Sequence, residues 1–268
     1  MKDRMALAVI AGAVSRGKLV PNGTVIEYTG GSTGTSLAFV CAAFGYRVTL
    51  VTSDAFSRDK RDHMRALGAR VIELPSEGGR TTRDLIQRMI AKAAELSAFP
   101  NAFFVDQFNN PDAAAGYGPM GEEMWAQSGG LDAFVQSVGT AQCITGTARV
   151  LRQRNKEILV AAVEPAESPV LSGGAPGAHE IEGVGPGFVP PIWNPGIADE
   201  VIQVSSSEAK AMARRLATDE ALFAGTSTGA NIAAALRIAA RLGEGRTVAT
   251  VACDTGLKYM STNLYSPA

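Results

Sequence analysis

The sequence predicts an α/β protein of two lobes, each built on a mostly parallel sheet flanked by helices. Three observations carry that expectation. Short β-branched runs alternate with stretches of helical apolar spacing almost throughout. Three strand–helix junctions are rich in glycine and hydroxyl residues, at Thr29–Gly34, Gly139–Ala141 and Gly225–Ala230. The alternation is interrupted at Asn-Asn-Pro-Asp over 109–112, where Pro111 suits the first position of a new helix.

Each element follows from its local pattern. Val25–Tyr28, Arg47–Val51, Arg70–Leu74 and Ala102–Val105 read as short strands, rich in β-branched and aromatic residues. Ala133–Val138, Ile158–Val163, Val201–Val204 and Thr247–Cys253 repeat the signature. Between them, Leu7/Ile10/Val14, Leu37/Val40/Phe44, Leu85/Met89/Ala93 and Ile232/Leu236/Ala239/Leu242 are spaced as one face of a helix. Strands separated by helices pair in parallel, with helices on both faces. The break near Asn110 divides the chain into residues 1–110 and 111–268, the smaller and the larger lobe. Residues 165–195 are loaded with Gly and Pro and are too long for an ordinary connection, so they read as a functional loop or lid.

Composition narrows the function. With 268 residues, 46% apolar, and a net charge of −1, the chain has the makeup of a soluble globular protein. Balanced charge offers no footprint for nucleic acid or an anionic membrane. No apolar run is long enough to span a bilayer, and the N-terminal residues lack a signal-peptide pattern. Cys41, Cys143 and Cys253 are too far apart for a disulfide framework or a CxxC metal site, which points to a reducing cytoplasm. With only His63 and His179 available, no metal site is expected.

A strand running into small and hydroxylated residues and then a helix aims backbone N–H groups at one point, where a carboxylate or phosphate can sit. One such loop is a weak signal; three argue for an anionic small-molecule site. Taken singly, the other residues have plain explanations. Lys2 is a charged helix start, Gln107 a surface residue after a strand, Gly183–Phe188 a turn-rich connector and Ser227 a helix N-cap.

Their order changes the balance. Lys2-Asp-Arg precedes a helix, then come Thr29-Gly-Gly-Ser-Thr-Gly34, Gln107-Phe-Asn-Asn110, Gly139-Thr140, Gly183-Val-Gly-Pro-Gly-Phe188 and Gly225-Thr-Ser-Thr-Gly229. Glu164-Pro-Ala-Glu-Ser-Pro-Val-Leu-Ser-Gly-Gly174 and Lys258-Tyr-Met-Ser-Thr262 complete the set. The series resembles the cysteine synthase family of fold type II (tryptophan synthase β-like) pyridoxal-phosphate enzymes, which includes O-acetylserine sulfhydrylase and cystathionine β-synthase. The resemblance covers essentially the whole chain.

It implies pyridoxal 5'-phosphate as cofactor and a transferase or lyase reaction in cysteine biosynthesis, with β-elimination from an O-activated serine and addition of sulfide. Lys2 matches the lysine that forms the Schiff base and then acts as base; such a lysine needs partial desolvation. Thr29, Gly30, Gly31, Ser32 and Thr33 match the loop that grips the substrate carboxylate, with Gln107 adding a side-chain donor. Gly183 belongs to a loop that closes over the amino acid. Gly139, Thr140, Ala141, Gln142 and Cys143 match the phosphate cup, and Ser227 the partner of the pyridine nitrogen.

The sequence departs from the family in three places. The phosphate loop reads Gly-Thr-Ala-Gln-Cys where the family has Gly-Thr-Gly-Gly-Thr, and Ala141 suits it if its φ is negative. The substrate loop has Gly30 and Ser32 where the family has serine and asparagine, so Ser32 reaches the cofactor's phenolic oxygen through a water. The family carries a few dozen residues ahead of its lysine, so the sequence is read as lacking that segment, through an upstream start or a natural truncation. Rival readings are a serine/threonine dehydratase, a cysteine desulfhydrase, and an inactive scaffold whose cleft binds an acyltransferase C-terminal peptide. An anion-binding nucleotide protein would need a ribose carboxylate, for which Asp54 is only loosely placed. The family is commonly homodimeric.

Overall fold

A computed structural model describes residues 1–79 and 82–265. The chain divides into two compact units. The first comprises Lys2–Gly116 together with Lys258–Asn263; the second comprises Tyr117–Leu257, Met1 and the residues from Leu264 on.

The first unit runs α1 (Lys2–Ser15), β1 (Thr24–Tyr28), α2 (Ser32–Phe44), β2 (Arg47–Ser53), α3 (Arg58–Ala66), β3 (Arg70–Leu74), α4 (Arg83–Ser97), β4 (Ala102–Phe104) and α5 (Pro111–Ala115). Its sheet has the order β3-β2-β1-β4, parallel throughout, with Ile26 paired to both Thr49 and Phe104. Burial is nearly continuous along β1 and β2, as parallel strands covered on both faces require. Ile26, Tyr28 and Val51 pack against Leu85, Met89 and Ala93 of α4. Helix α1 buries Met5, Val9 and Ile10 and packs on α2 and α5. Asn110 caps α5 by accepting a hydrogen bond from Asp112 N–H at 3.1 Å, and Pro111 opens the helix as its fixed φ favours.

The second unit runs α6 (Gly118–Ser128), β5 (Ala133–Ser137), α7 (Gln142–Arg154), β6 (Leu159–Pro165), β7 (Glu200–Val204), α8 (Ser206–Asp219), α9 (Thr226–Leu242) and β8 (Val248–Thr250). Its order, β7-β6-β5-β8, again parallel, repeats the arrangement of the first sheet. Val135, Val163 and Val204 bury against Ala230, Ala234 and Ile238 of α9. Residues 166–194 form neither helix nor strand. Their first turn is fastened by the Glu164 carboxylate, which accepts from Leu171 N–H at 2.7 Å and Ser172 N–H at 3.2 Å.

All eight expected strands form. The last is shorter than its apolar run: β8 ends at Thr250, and Val251–Cys253 leave the ladder. Among the described residues no helix is long and apolar enough to cross a membrane.

Gly229 has a packing role that its place in a glycine-rich motif conceals. A Cβ there would stand 2.0 Å from the Ala209 carbonyl oxygen, so α8 and α9 touch backbone to backbone. Backbone cannot yield as a flexible side chain does. Gly229→Ala is therefore expected to cost about 1–3 kcal/mol through forced separation of the helices. Chemical denaturation should show a lower midpoint with little change in slope.

Candidate active-site residues

In each sheet the strand order reverses beside the strand that comes first in the chain. At such a reversal the loops leaving two neighbouring carboxyl ends run to opposite sides and leave a crevice. In the first unit that place lies beyond β1 and β4, which lead into Thr29–Thr33 and Gln107. In the second it lies beyond β5 and β8, which lead into Gly139–Cys143 and Cys253.

The Thr29–Thr33 loop is held from within. Thr29 Oγ1 accepts from Gly31 N–H at 2.9 Å and Gly34 N–H at 3.1 Å, so a residue outside α2 caps that helix. Thr52 Oγ1 donates to the Thr29 carbonyl at 2.8 Å. Gly31 has φ 136°, and a Cβ there would meet the Lys60 side chain at 2.4 Å, so only glycine serves. Gly30 is exposed and Ser32 half-buried. Thr33 Oγ1 donates to Gln107 Oε1 at 2.7 Å, and Gln107 Nε2 donates to the Tyr28 carbonyl at 3.0 Å. Gln107 is thus buried and tied to the loop rather than lying on the surface.

Two charged residues behind this loop escape a reading of the sequence. Glu27, fully buried in β1, accepts from Tyr28 N–H at 2.9 Å and Gln107 N–H at 3.1 Å. Desolvation pushes its carboxyl up to about 8, against those N–H groups, with Asp106 adding like charge. A carboxylate inside Val-Ile-Glu-Tyr, an otherwise apolar strand, was the available signal. Lys60 lies in the charged run Arg58–Asp62, which reads as a solvated face, yet it is 2% exposed. Its ammonium sits 4.4 Å from the centroid of Tyr259, in the C-terminal stretch that belongs to this unit.

Lys2 is the first residue of α1, partly buried, on a helix anchored through five buried side chains. Asp54 is a loop brace, accepting from Ser76 N–H at 2.8 Å and Ser53 Oγ at 3.1 Å. The Ser76 bonds hold its carboxyl below the usual range.

In the second unit the Gly139–Cys143 loop leads directly into α7. The opening turn of a helix has N–H groups without intrahelical acceptors, aimed outward with the positive end of its dipole. Ala141 stands at the cap with φ 61°, so the condition under which alanine suits this position, a negative φ, is not met. Its methyl occupies a left-handed position that costs an L-residue about 1–2 kcal/mol. Gln142 and Cys143 are buried. A Cβ on Gly139 would lie 2.4 Å from the Gly183 carbonyl oxygen, which places Gly183 against the Gly139–Cys143 loop. Gly185 N–H donates to Val138 O at 3.0 Å, and Glu182 N–H to Thr226 Oγ1 at 3.1 Å. The 182–185 stretch therefore braces the end of β5 and the start of α9 together. Ser227 is not the N-cap: Gly225 takes that position, leaving Ser227 buried within the first turn.

Residues 1–254 match the family described as "Pyridoxal-phosphate dependent enzyme". The chain belongs to this family. A protein of Staphylococcus aureus named "Cysteine synthase" is 40% identical over 269 residues, covering 99% of this chain and 85% of that one. A "Probable cysteine synthase" of Bacillus subtilis is 40% identical over 275 residues, covering 99% and 86%. Among solved structures, the O-acetylserine-dependent cystathionine β-synthase of Helicobacter pylori superposes with a TM-score of 0.92 at 37% identity, covering 99% of this chain and 86% of that one.

The family's cofactor is pyridoxal 5'-phosphate, and the residues present fit a group carrying a dianion. Thr145 Oγ1 in the opening turn of α7 and Ser137 Oγ at the end of β5 are buried with no hydrogen-bond partner among the described residues, flanking the loop on either side. Orphaned buried hydroxyls call for a polar occupant.

These environments have measurable consequences. Ala141→Gly relieves the left-handed strain and should stabilise the protein by about 1 kcal/mol, read as a higher thermal midpoint. For Glu27, the folded protein holds a proton that the unfolded chain releases near pH 4.5. Stability should therefore fall as pH rises from about 4.5 to 8, with a slope of at most about 1.4 kcal/mol per pH unit. Denaturation midpoints of Glu27→Gln should lack that part of the decline.

Proposed function

We propose that the chain is a cysteine synthase: it removes the β-substituent of O-acetylserine and adds sulfide at the same carbon. The similarity that supports this extends over nearly the whole chain to proteins of that name. When bound, pyridoxal phosphate supplies an electron sink for the pair left on Cα.

The roles we assign follow the chemistry of each group. Lys2 holds the cofactor through its amine at rest and, once released, takes the proton from the substrate Cα. The amides of Ser32 and Thr33 orient the substrate carboxylate, with Thr29 holding the Gly31 and Gly34 amides on either side of them and Gln107 keeping Thr33 in place. That fixes Cα relative to the base and saves orientation entropy. Ser32 faces the cofactor's phenolic oxygen. Gly139–Cys143 hold the phosphate through α7, and Ser227 faces the ring nitrogen. On this reading the smaller lobe, residues 1–110, carries Lys2 and the substrate loop, and the larger lobe, residues 111–268, the phosphate loop and Ser227.

The remaining assignments are further parts of the proposal. The loop that accepts an amino acid's carboxylate also suits a peptide C-terminus, and an acyltransferase tail is the protein partner we assign to it. Leu7 and Val14 on α1 and Phe39 and Phe44 on α2 expose apolar surface within the first unit, which supports a homodimer. Three free, buried cysteines suit the cytoplasm.

The test is purification, addition of pyridoxal phosphate, and assay with O-acetylserine and sulfide. The visible cofactor band should form and cysteine should accumulate. Lys2→Ala should abolish the band and lower kcat by about 10³-fold. A wild-type protein that forms no band, or forms one and makes no cysteine, refutes the assignment.

A further inference from the structure

Each sheet parts at one rung of its ladder, and both part in the same way. In a parallel ladder a residue donates to the carbonyl preceding its partner and accepts from the amide following it. Ile26, paired with Phe104, accepts from Val105 N–H at 3.0 Å. The next rung would join Tyr28 N–H to the Val105 carbonyl and Gln107 N–H to the Tyr28 carbonyl. Both amides are diverted. Glu27 Oε1 accepts from Tyr28 N–H at 2.9 Å, and Oε2 accepts from Gln107 N–H at 3.1 Å. Asn110 Nδ2 donates to the Val105 carbonyl at 2.8 Å, and Gln107 Nε2 to the Tyr28 carbonyl at 3.0 Å. All four groups of the opened rung are thus held by side chains.

The second sheet repeats this beyond the pair Val135–Thr250. Its next rung would join Ser137 N–H to the Val251 carbonyl and Cys253 N–H to the Ser137 carbonyl. Instead Asn231 stands between the first two, with Oδ1 accepting from Ser137 N–H at 2.7 Å and Nδ2 donating to the Val251 carbonyl at 2.9 Å. Thr228 Oγ1 accepts from Cys253 N–H at 2.9 Å, and Gln136 Nε2 donates to the Ser137 carbonyl at 3.0 Å. Different side chains make the same opening, in each case where the strand order reverses.

In the first unit the opening turns on a competition for one carbonyl. Tyr28 O can take Gln107 through its backbone N–H, which closes the rung, or through Nε2, which is what occurs. Glu27 decides between them by holding the backbone N–H. The Gln107 side chain then stays at Tyr28, with its Oε1 turned to accept from Thr33 Oγ1 at 2.7 Å. Asp106, which would face Tyr28 in the closed rung, has φ 49°, a left-handed conformation that disfavours a residue with a side chain. Take the carboxylate away, and the ladder bonds become the means of satisfying the two buried N–H groups.

We propose that Glu27 is a positioning residue for the amino-acid substrate: it keeps the rung between β1 and residues 105–107 open, and so keeps Gln107 locked to Thr33. This rests on the reading above that the Thr29–Thr33 loop receives the substrate carboxylate. With an apolar side chain at position 27, Gln107 N–H goes to the Tyr28 carbonyl and displaces the Gln107 side chain from it. Thr33 then loses its acceptor. The seat of the carboxylate loosens, while the groups assigned to the cofactor and to proton transfer stay as they are.

The test combines steady-state kinetics of the cofactor-loaded protein, using O-acetylserine and sulfide, with a crystal structure of the variant. Glu27→Met, close in volume and without an acceptor, should raise KM for O-acetylserine about tenfold and leave kcat within about twofold. Its structure should show Gln107 N–H bonded to the Tyr28 carbonyl. Glu27→Leu carries the test if the methionine variant does not fold. Gln107→Leu should raise the same KM, and adding Glu27→Met to it should raise it no further, because both act through one contact. The inference alone is overturned if Gln107→Leu raises KM and a folded Glu27 variant does not. It is equally overturned if the double variant shows a further rise, if kcat falls as much as KM rises, or if the rung stays open in the variant's structure. A Gln107→Leu protein with unchanged KM overturns it together with the reading it rests on.

Discussion

The direction of the strands governs everything else in this protein. In an all-parallel sheet every carboxyl end lies on one edge, and so do the amino ends of the helices that follow. Backbone N–H groups and positive helix ends are therefore delivered to that edge before any side chain is chosen. Both units use it the same way, since β1 and β5 each have their sequence successor on one side and a late strand, β4 or β8, on the other. Thr29–Thr33 and Gly139–Cys143 occupy equivalent places in two sheets of the same order.

Around those edges the chain sets polar groups into apolar surroundings and satisfies them from close by. Glu27 takes N–H groups from Tyr28 and Gln107, while Asn231 spans Ser137, Val251 and Cys253. Unpaired, each would cost on the order of 1–3 kcal/mol. Paired, each ties a strand to the segment beside it: β1 to Gln107 in the first unit, the end of β5 to α9 and Cys253 in the second. The core thereby trades some stability for defined geometry at the loops.

Much of this was legible in the sequence, for identifiable reasons. Strand positions follow from β-branched runs, and all eight appear where those runs lie; the start of α5 at Pro111 follows from the fixed φ of proline. Whatever depends on neighbours distant in the chain was hidden. Residues Val251–Cys253 look like the end of a strand, but the Asn231 side chain takes up the ladder groups there, accepting from Ser137 N–H and donating to the Val251 carbonyl. Lys60 looks solvated because nothing in Arg58–Asp62 reveals that Tyr259 will cover it. The sign of φ at Ala141 was open, since alanine alone gives no indication of the left-handed turn imposed by the junction of β5 with α7. Ser227 was readable as a cap until Gly225 was seen to occupy that position.

The cover over Lys60 bears on how the protein is made. Tyr259 lies 199 residues later in the chain, within the Lys258–Asn263 stretch that completes the first unit. A ribosome releases Lys2–Gly116 long before that ring emerges, and domains otherwise tend to fold as they are synthesised. Until then α3 can pack through Met64, but the Lys60 ammonium lacks the ring that covers it in the finished unit. The unit that is synthesised first is thus finished late. Lys60, whose side chain lies against Gly31, meets its ring only once the second unit's sheet has been translated and Tyr259 has followed it out.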